Sequence, residues 1–266
     1  DRRPSEQLAQ GVQSVPESIA MAPAYTAWAS RYLHEHGVNR DGFGLIAVNM
    51  RSNALRNPLA AMTTPITLDD YYSARMIREP FGLLDMDLPV DGADAFVVTR
   101  TVDAPDTGRP TVVVHAITTG LVTPNDEDQV TGLDRHSQHI VLDVLRAKSD
   151  FWIDEADVVC LYDGFTVITA GWIENLGWAP PGGTADFLRE HWVEAEGRAL
   201  IDGQVQINPH GGSLSEGATR GSGHVREAVV QLRGEAGDRQ TAGARTAIVC
   251  TGGFFFNSQG LTLRRL

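Results

Sequence analysis

The chain has 266 residues, 42% of them hydrophobic and 21% charged, which is enough for one large domain or two modest ones and excludes disorder over the whole length. A net charge of -12 excludes a nucleic-acid-binding surface as the main purpose, because phosphate recognition needs clustered cations. Two cysteines, Cys160 and Cys250, do not make a disulfide framework, and no apolar run reaches the ~18 residues of a membrane span. A reducing, cytoplasmic setting is the expectation.

Residues 1–16 read as a polar, Gln-rich lead-in. Ile19, Tyr25, Trp28, Ala29, Tyr32 and Leu33 then fall at helical spacing, and Gly37 supplies a stop. A second helix is expected from Asn39 and Arg40 to Leu55, before Pro58, and Thr67 with Asp70 forms a capping-box pattern. Residues 83–102 read as a loop, a small-residue turn and a buried strand around Ala95–Thr101. The polar stretch from Asp103 to Arg109 is the candidate joint, and Thr111–Thr119 opens a new unit as a β-branched strand. Beyond it the pattern alternates: a helix over about 135–148, a strand Val158–Tyr162, and a helix from Phe165 to about Leu176. A helix-like piece at 184–196 leads to a strand near Val205–Ile207, a Gly/Ser-rich loop and a helix Val225–Arg233. Strands follow at Thr246–Cys250 and up to Arg265. Such alternation with short joints means α/β layering.

Three stretches carry the types of residue that chemistry needs. The first runs from Asn208 through His210, Gly211 and Gly212 to Gly223 and His224, a strand emptying into a glycine loop that delivers a histidine at a helix start. A histidine there is held neutral and can hydrogen-bond a carbonyl or enolate oxygen, while glycines let backbone approach a ligand. A solvated histidine on a surface loop fits the same spacing. The second is Tyr162-Asp163 at the end of an apolar strand, where α/β proteins place ligands. Tyr162 suits proton transfer or hydrogen-bond donation and Asp163 an orienting or basic role. An Asp N-cap over a packed tyrosine suits the pair equally. The third is Cys250-Thr251-Gly252-Gly253, readable as a thiol acid/base or as an inert buried cysteine. The glycines around residue 211 do not satisfy GxGxxG, and Lys148, the sole lysine, is not in a P-loop. The histidines show no metal-ligand spacing with the cysteines.

Taken in order, these stretches resemble the C-terminal half of the thiolase superfamily. That family builds its site from an Asn-Glu-Ala-Phe segment, a Gly-Gly…Gly-His segment and a Cys-x-Gly-Gly segment. Here they read Tyr162-Asp163-Gly164-Phe165, His210-Gly211-Gly212 through Gly223-His224, and Cys250-Thr251-Gly252-Gly253. Asp91-Gly92-Ala93-Asp94-Ala95 looks like the family's Asp-Gly-Ala-x-Ala, and Gln231-Leu232-Arg233-Gly234 with Arg239-Gln240 looks like the lipid-transfer or sterol-carrier branch.

The resemblance implies mixed five-stranded sheets with helices on both faces. Residues 1–102 would be the remainder of an N-terminal half, 103–109 the joint and 110–266 the C-terminal domain. It implies an acyl-CoA substrate with no permanently bound cofactor, a homodimer, and a small OB-fold, zinc-ribbon partner protein. Neither Cys160 nor Cys250 stands where the family's nucleophile lies, so either an upstream segment carries it or the protein dispenses with it. Tyr162-Asp163 in place of Asn-Glu points to the aldolase-like members, which cleave a β-hydroxyacyl-CoA, often of a steroid or branched acid, by retro-aldol chemistry. In that reading Tyr162 with Asp163 transfers the proton, His224 stabilises the oxyanion and Cys250 reprotonates the enolate. His210, Gly211, Gly212, Gly252 and Gly253 would bind substrate. A Claisen-type acyltransferase and a non-catalytic lipid- or CoA-binding subunit are the alternatives.

Overall fold

The computed structural model describes residues 22–103, 107–123 and 132–266. The expected lead-in, Ile19 and residues 104–106 of the expected joint lie outside the described residues.

Helix α1 (Ala22–His36) buries Tyr25, Trp28, Ala29 and Tyr32, the stripe that the helical spacing marks, and ends at Gly37 with φ +63°. Helix α2 (Asp41–Ala54) is buried around almost its whole circumference, with Asn49, Arg51 and Asn53 buried beside its apolar residues. Helix α3 (Leu68–Ser73) has its capping box complete: Asp70 N donates to Thr67 Oγ1 at 3.1 Å and Thr67 N to Asp70 Oδ2 at 2.8 Å. A small hairpin of β1 (Met76–Arg78) and β2 (Phe81–Gly82) follows, which the sequence pattern did not announce.

The main sheet is assembled from β3 (Val112–Leu121), β4 (Val158–Leu161), β7 (Gln206–Ile207), β8 (Thr246–Phe254) and β9 (Asn257–Arg265), in the order β3-β9-β8-β4-β7. Strand β4 is parallel to β7 and β8, while β9 is antiparallel to both β8 and β3. Between them lie α4 (Ser137–Lys148), α5 (Thr166–Asn175), α6 (Thr184–Glu190), the hairpin β5 (Trp192–Val193) and β6 (Arg198–Ala199), α7 (Gly212–Ser215) and α8 (Ser222–Arg233). Alternation along β4 and β8 sends Val158, Cys160, Ala247 and Val249 to one face, where Ala228 and Leu232 of α8 cover them. Val159, Leu161, Ile248 and Cys250 face the larger core with Val141 and Leu145 of α4 and Ile168 of α5. Helices α1 and α2 lie beyond α5; Tyr25 stacks on Phe165 with ring centroids 4.2 Å apart. This is the mixed five-stranded sheet with helices on both faces that was expected.

Two local expectations fail. Residues Ala95–Thr101 are not a buried strand: Val97 is 95% and Val98 81% exposed, with no ladder partner among the described residues. A β-branched run becomes a strand only when another backbone satisfies its N–H and C=O groups. The helix expected over 184–196 stops at Glu190, because Trp192-Val193 turns back on Arg198-Ala199 through Gly197 at φ +63°. Among the described residues no helix is long and apolar enough to cross a membrane.

Candidate active site

The carboxyl ends of β4 and β7 meet the N-termini of α7 and α8, and there the first two sequence stretches come together. Tyr162 N donates to Cys250 O at 2.8 Å, carrying the β4–β8 pairing one residue past the strand. Asn208, at φ +51°, substitutes its side chain for a strand partner: Oδ1 accepts from Leu161 N and Nδ2 donates to Leu161 O, each at 2.7 Å. Those bonds fix the point at which β4 turns into Asp163.

Asp163 is fully buried. Its Oδ1 accepts from Ser213 N at 2.7 Å and its Oδ2 from Leu214 N at 3.2 Å, so it caps α7, a helix fifty residues away in sequence. His224 Nε2 lies 3.0 Å from Asp163 Oδ1 and 3.1 Å from Leu161 O. A carbonyl only accepts, so Nε2 carries a proton. His210 is buried against His224, ring centroids 4.8 Å apart, and burial drives its pKa well below the usual histidine value.

The loop is held from outside by α2 and the segment following it. Asn53 Nδ2 donates to Ile207 O at 2.9 Å, and Asn57 Nδ2 to His210 O at 2.9 Å and Glu216 Oε1 at 2.8 Å. Asn49 Oδ1 accepts from Ala199 N at 2.9 Å. Spacing of four puts the Asn49 and Asn53 amides on one face of α2, and Asn57 follows in the segment after the helix. Glu216 also accepts from Arg226, at 2.6 and 2.7 Å.

Tyr162 is 4% exposed, and its ring rests on Gly164, where a Cβ would lie 2.7 Å from Cε1. Burial first, then the charges of Asp87 and Asp163, push its phenol up to about 12, while the positive charge of Arg220 draws it back. Arg220 is exposed and holds φ +56°, a conformation uncommon for a residue with a side chain. Across this opening runs residues 86–94. Asp87 N donates to Gly164 O and Leu88 N to Ser213 O, both at 3.0 Å, and Ala218 N to Leu88 O at 2.8 Å. Asp94 accepts from Ser222 Oγ at 2.6 Å and faces Arg226 at 3.5 Å. Neither Asp87 nor Arg220 was singled out from the sequence.

Residues 146–264 match the family model for the thiolase C-terminal domain-like family. The chain is 32% identical over 243 residues to a steroid side-chain-cleaving aldolase of Thermomonospora curvata, covering 89% of this chain and 60% of that protein. It is also 32% identical over 249 residues to a 17-hydroxy-3-oxo-4-pregnene-20-carboxyl-CoA lyase of Mycobacterium tuberculosis, covering 90% and 62%. Among solved structures, an Ltp2-ChsH2(DUF35) aldolase superposes with a TM-score of 0.87 at 28% identity, over 100% of this chain and 68% of that one. The chain shares a thiolase-like fold with these proteins. It spans about three fifths of the length of these two curated relatives.

His224 points its Nε2–H at Asp163 Oδ1 and Leu161 O, both protein acceptors. The space beside Gly211 and Gly212 is taken by protein. A Cβ at Gly211 would sit 2.6 Å from Ala54 Cβ, and one at Gly212 only 1.9 Å from Asp163 Oδ2. Gly252, at φ +90°, is needed for close packing on Ser258 Cα, 2.7 Å from a Cβ built there, and Gly253 continues inside β8. Cys250 lies within β8 and not at a strand end; its thiol is fully buried among apolar side chains, and burial drives its pKa far up. Cys160 is likewise buried with its pKa raised.

Proposed function

We propose that the protein is a thiolase-superfamily carbon–carbon lyase that cleaves a steroid or branched β-hydroxyacyl-CoA by a retro-aldol reaction. The observation that carries this reading is Tyr162: a phenol at the carboxyl end of β4, backed by a fully hydrogen-bonded Asp163, with the positive charge of Arg220 acting on it. The two aldolase and lyase relatives and the aldolase structure support it.

The chemistry asks for a group that accepts the β-hydroxyl proton as the C–C bond breaks, and for a proton to return to the thioester enolate. Tyr162 serves as the proton-transfer group. Asp163, with Ser213, Leu214 and His224 saturating its carboxylate, sets the β4 turn so that the phenol is aimed correctly; His224 positions it. Arg220 supplies the positive charge felt at the phenol. Cys250 has no part in proton transfer in this assignment, since a thiol buried in the core meets no substrate. Coenzyme A enters as part of the substrate, and no permanently bound cofactor is invoked. A homodimer and a small OB-fold, zinc-ribbon partner, on which the notion of a two-protein aldolase rests, belong to the same proposal.

The test is incubation of the full-length protein with the CoA ester named for the M. tuberculosis relative, following the ketone and the shortened acyl-CoA by mass spectrometry. Cleavage by the wild type, with a loss of at least ~100-fold in Tyr162→Phe, supports the lyase. Turnover unchanged in Tyr162→Phe, or acyl transfer between acyl-CoA molecules without cleavage, overturns it.

A further inference from the structure

Segment 86–94 is attached to the glycine loop at two points. The first is backbone: Leu88 N donates to Ser213 O at 3.0 Å and Ala218 N to Leu88 O at 2.8 Å. Beyond it the fit is close. The Val90 side chain fills the space beside Gly217, where a Cβ would lie 2.6 Å from Cγ1, and Thr219 Cγ2 lies 3.4 Å from a Cβ built on Gly92. The same loop flanks the phenol ring, since a Cβ on Gly221 would stand 3.7 Å from Tyr162 Cδ2. On the other side is Gly164, where a Cβ would lie 2.7 Å from Tyr162 Cε1 and whose carbonyl accepts the Asp87 N–H. Tyr162 thus sits between the turn that anchors the segment and the loop that the segment covers.

A single guanidinium makes the second point. Arg226 Nη2 donates to Glu216 Oε1 and Oε2 at 2.7 and 2.6 Å, and Nη1 faces Asp94 Oδ1 at 3.5 Å. Asp94 Oδ2 also accepts from Ser222 Oγ at 2.6 Å, and Glu216 Oε1 from Asn57 Nδ2 at 2.8 Å. The Asp94 and Glu216 side chains are only 7% and 9% exposed, that of Arg226 30%. Two carboxylates so enclosed repel each other unless a cation lies between them, and Arg226 is the cation that meets both. Gly223 leaves the room for it: a Cβ there would lie 3.2 Å from Glu216 Oε2 and 3.5 Å from Arg226 Nη2. The planar fork of a guanidinium holds two carboxylates at a set spacing, which a lysine ammonium does not.

Resting on the lyase reading above, we propose that Arg226 is a positioning residue that sets substrate specificity. Clasped between Glu216 and Asp94, it holds segment 86–94 against the glycine loop and so fixes the wall along which a broad, ring-bearing acyl group lies beside Tyr162. A slender open-chain acyl group reaches the same phenol without leaning on that wall. Arg226 touches no reacting atom, so the clasp contributes to binding of the broad ester and not to the bond-breaking step. Interactions of that kind are read in KM and leave kcat alone.

Two measurements on the full-length protein test this, with Arg226→Gln and the milder Asp94→Asn, which removes the clasp from its other end. The first needs no turnover: amide hydrogen exchange is followed at Leu88 and Ala218, with Ser213 and Leu214 as internal controls. Both variants are expected to exchange at least ~10-fold faster at Leu88 and Ala218 and unchanged at the controls. Unchanged exchange at Leu88 and Ala218, or equal acceleration at all four, overturns the clasp. The second compares the ring-bearing CoA ester named for the M. tuberculosis relative with a short open-chain β-hydroxyacyl-CoA. In both variants KM for the ring-bearing ester is expected to rise ~10-fold with kcat within about three-fold, while KM for the open-chain ester stays within about two-fold. The double variant is expected to be no worse than Arg226→Gln alone, because both changes break one contact. An equal change for the two esters, or a fall confined to kcat, overturns the specificity role. Wild-type protein that cleaves neither ester overturns the lyase reading instead, and the exchange measurement then decides the clasp by itself.

Discussion

Asp163 fills the space that any side chain at residue 212 would need: a Cβ on Gly212 would lie 1.9 Å from its Oδ2 and 2.6 Å from its Cγ. The backbone there is at φ +63°, so shape and conformation both demand glycine. Gly212→Ala is expected to displace the carboxylate from Ser213 N and Leu214 N, costing roughly 3 kcal/mol or more and abolishing turnover. Urea unfolding and steady-state kinetics on the one variant check both effects. A fully active, equally stable Gly212→Ala contradicts the arrangement.

Asp163→Asn keeps the shape and loses the charge. Its amide NH2 would face a backbone donor or the His224 N–H, so about 2–4 kcal/mol of stability should go, with at least ~100-fold in kcat. Thermal unfolding beside turnover separates this from a pure surface substitution, whose effect stays within about 0.5 kcal/mol.

Cys250→Ala should cost about 1–2 kcal/mol through the lost burial and leave kcat within about three-fold. A collapse of kcat with unchanged unfolding would return the thiol to the reaction.

Asp87→Asn is expected to stabilise the protein at neutral pH. A carboxyl raised to about 6 in the folded state holds its proton there more tightly than in the unfolded chain. Folded stability therefore falls as pH rises from about 4 to 6, and the full cost persists above it. Removing the charge recovers on the order of 1–3 kcal/mol above pH 6 and a rise of several degrees in Tm, with no gain below pH 4. Differential scanning calorimetry at pH 4, 6 and 8 reads this.

His136 acts in the opposite sense. Burial first, then the nearby His139, lower it to about 3, so the unfolded chain protonates before the folded one and stability drains as pH falls from about 6.5 toward 3. His136→Asn keeps an N-cap for α4 and removes up to ~1.4 kcal/mol per pH unit from that slope, measurable by urea melts across pH 4–7.

The sequence marked most of the sheet and its helices because each buries a periodic stripe against something within the same chain. Thr111–Thr119 and Val158–Tyr162 are recovered nearly residue for residue as β3 and β4. Ala95–Thr101 has strand composition, yet composition says nothing of whether a neighbour exists to pair with it. The site was legible as a set of turns: Tyr162, Asp163, His210, Gly212 and His224 do come together. The direction each side chain faces was not legible. That Asp163 points into the Gly212 loop, and that Cys250 points into the core, depends on strand register, and a register of one residue reverses every side chain. Asp87 and Arg220 stayed invisible because each lies in an irregular segment, and it is the backbone bonds from Asp87 to Gly164 and from Leu88 to Ala218 that bring them to the tyrosine.

The amides of Asn53 and Asn57 reach across about 150 positions of sequence to hold Ile207 O and His210 O. Contacts so distant form late, after the chain between them has been ordered. A molecule in which the early helix has not yet docked lacks the bonds to Ile207 O and His210 O and carries a slack glycine loop. The shape of the glycine loop therefore depends on residues from both ends of the described chain, and a change at Asn53 or Asn57 is felt at His210 without touching it from nearby sequence.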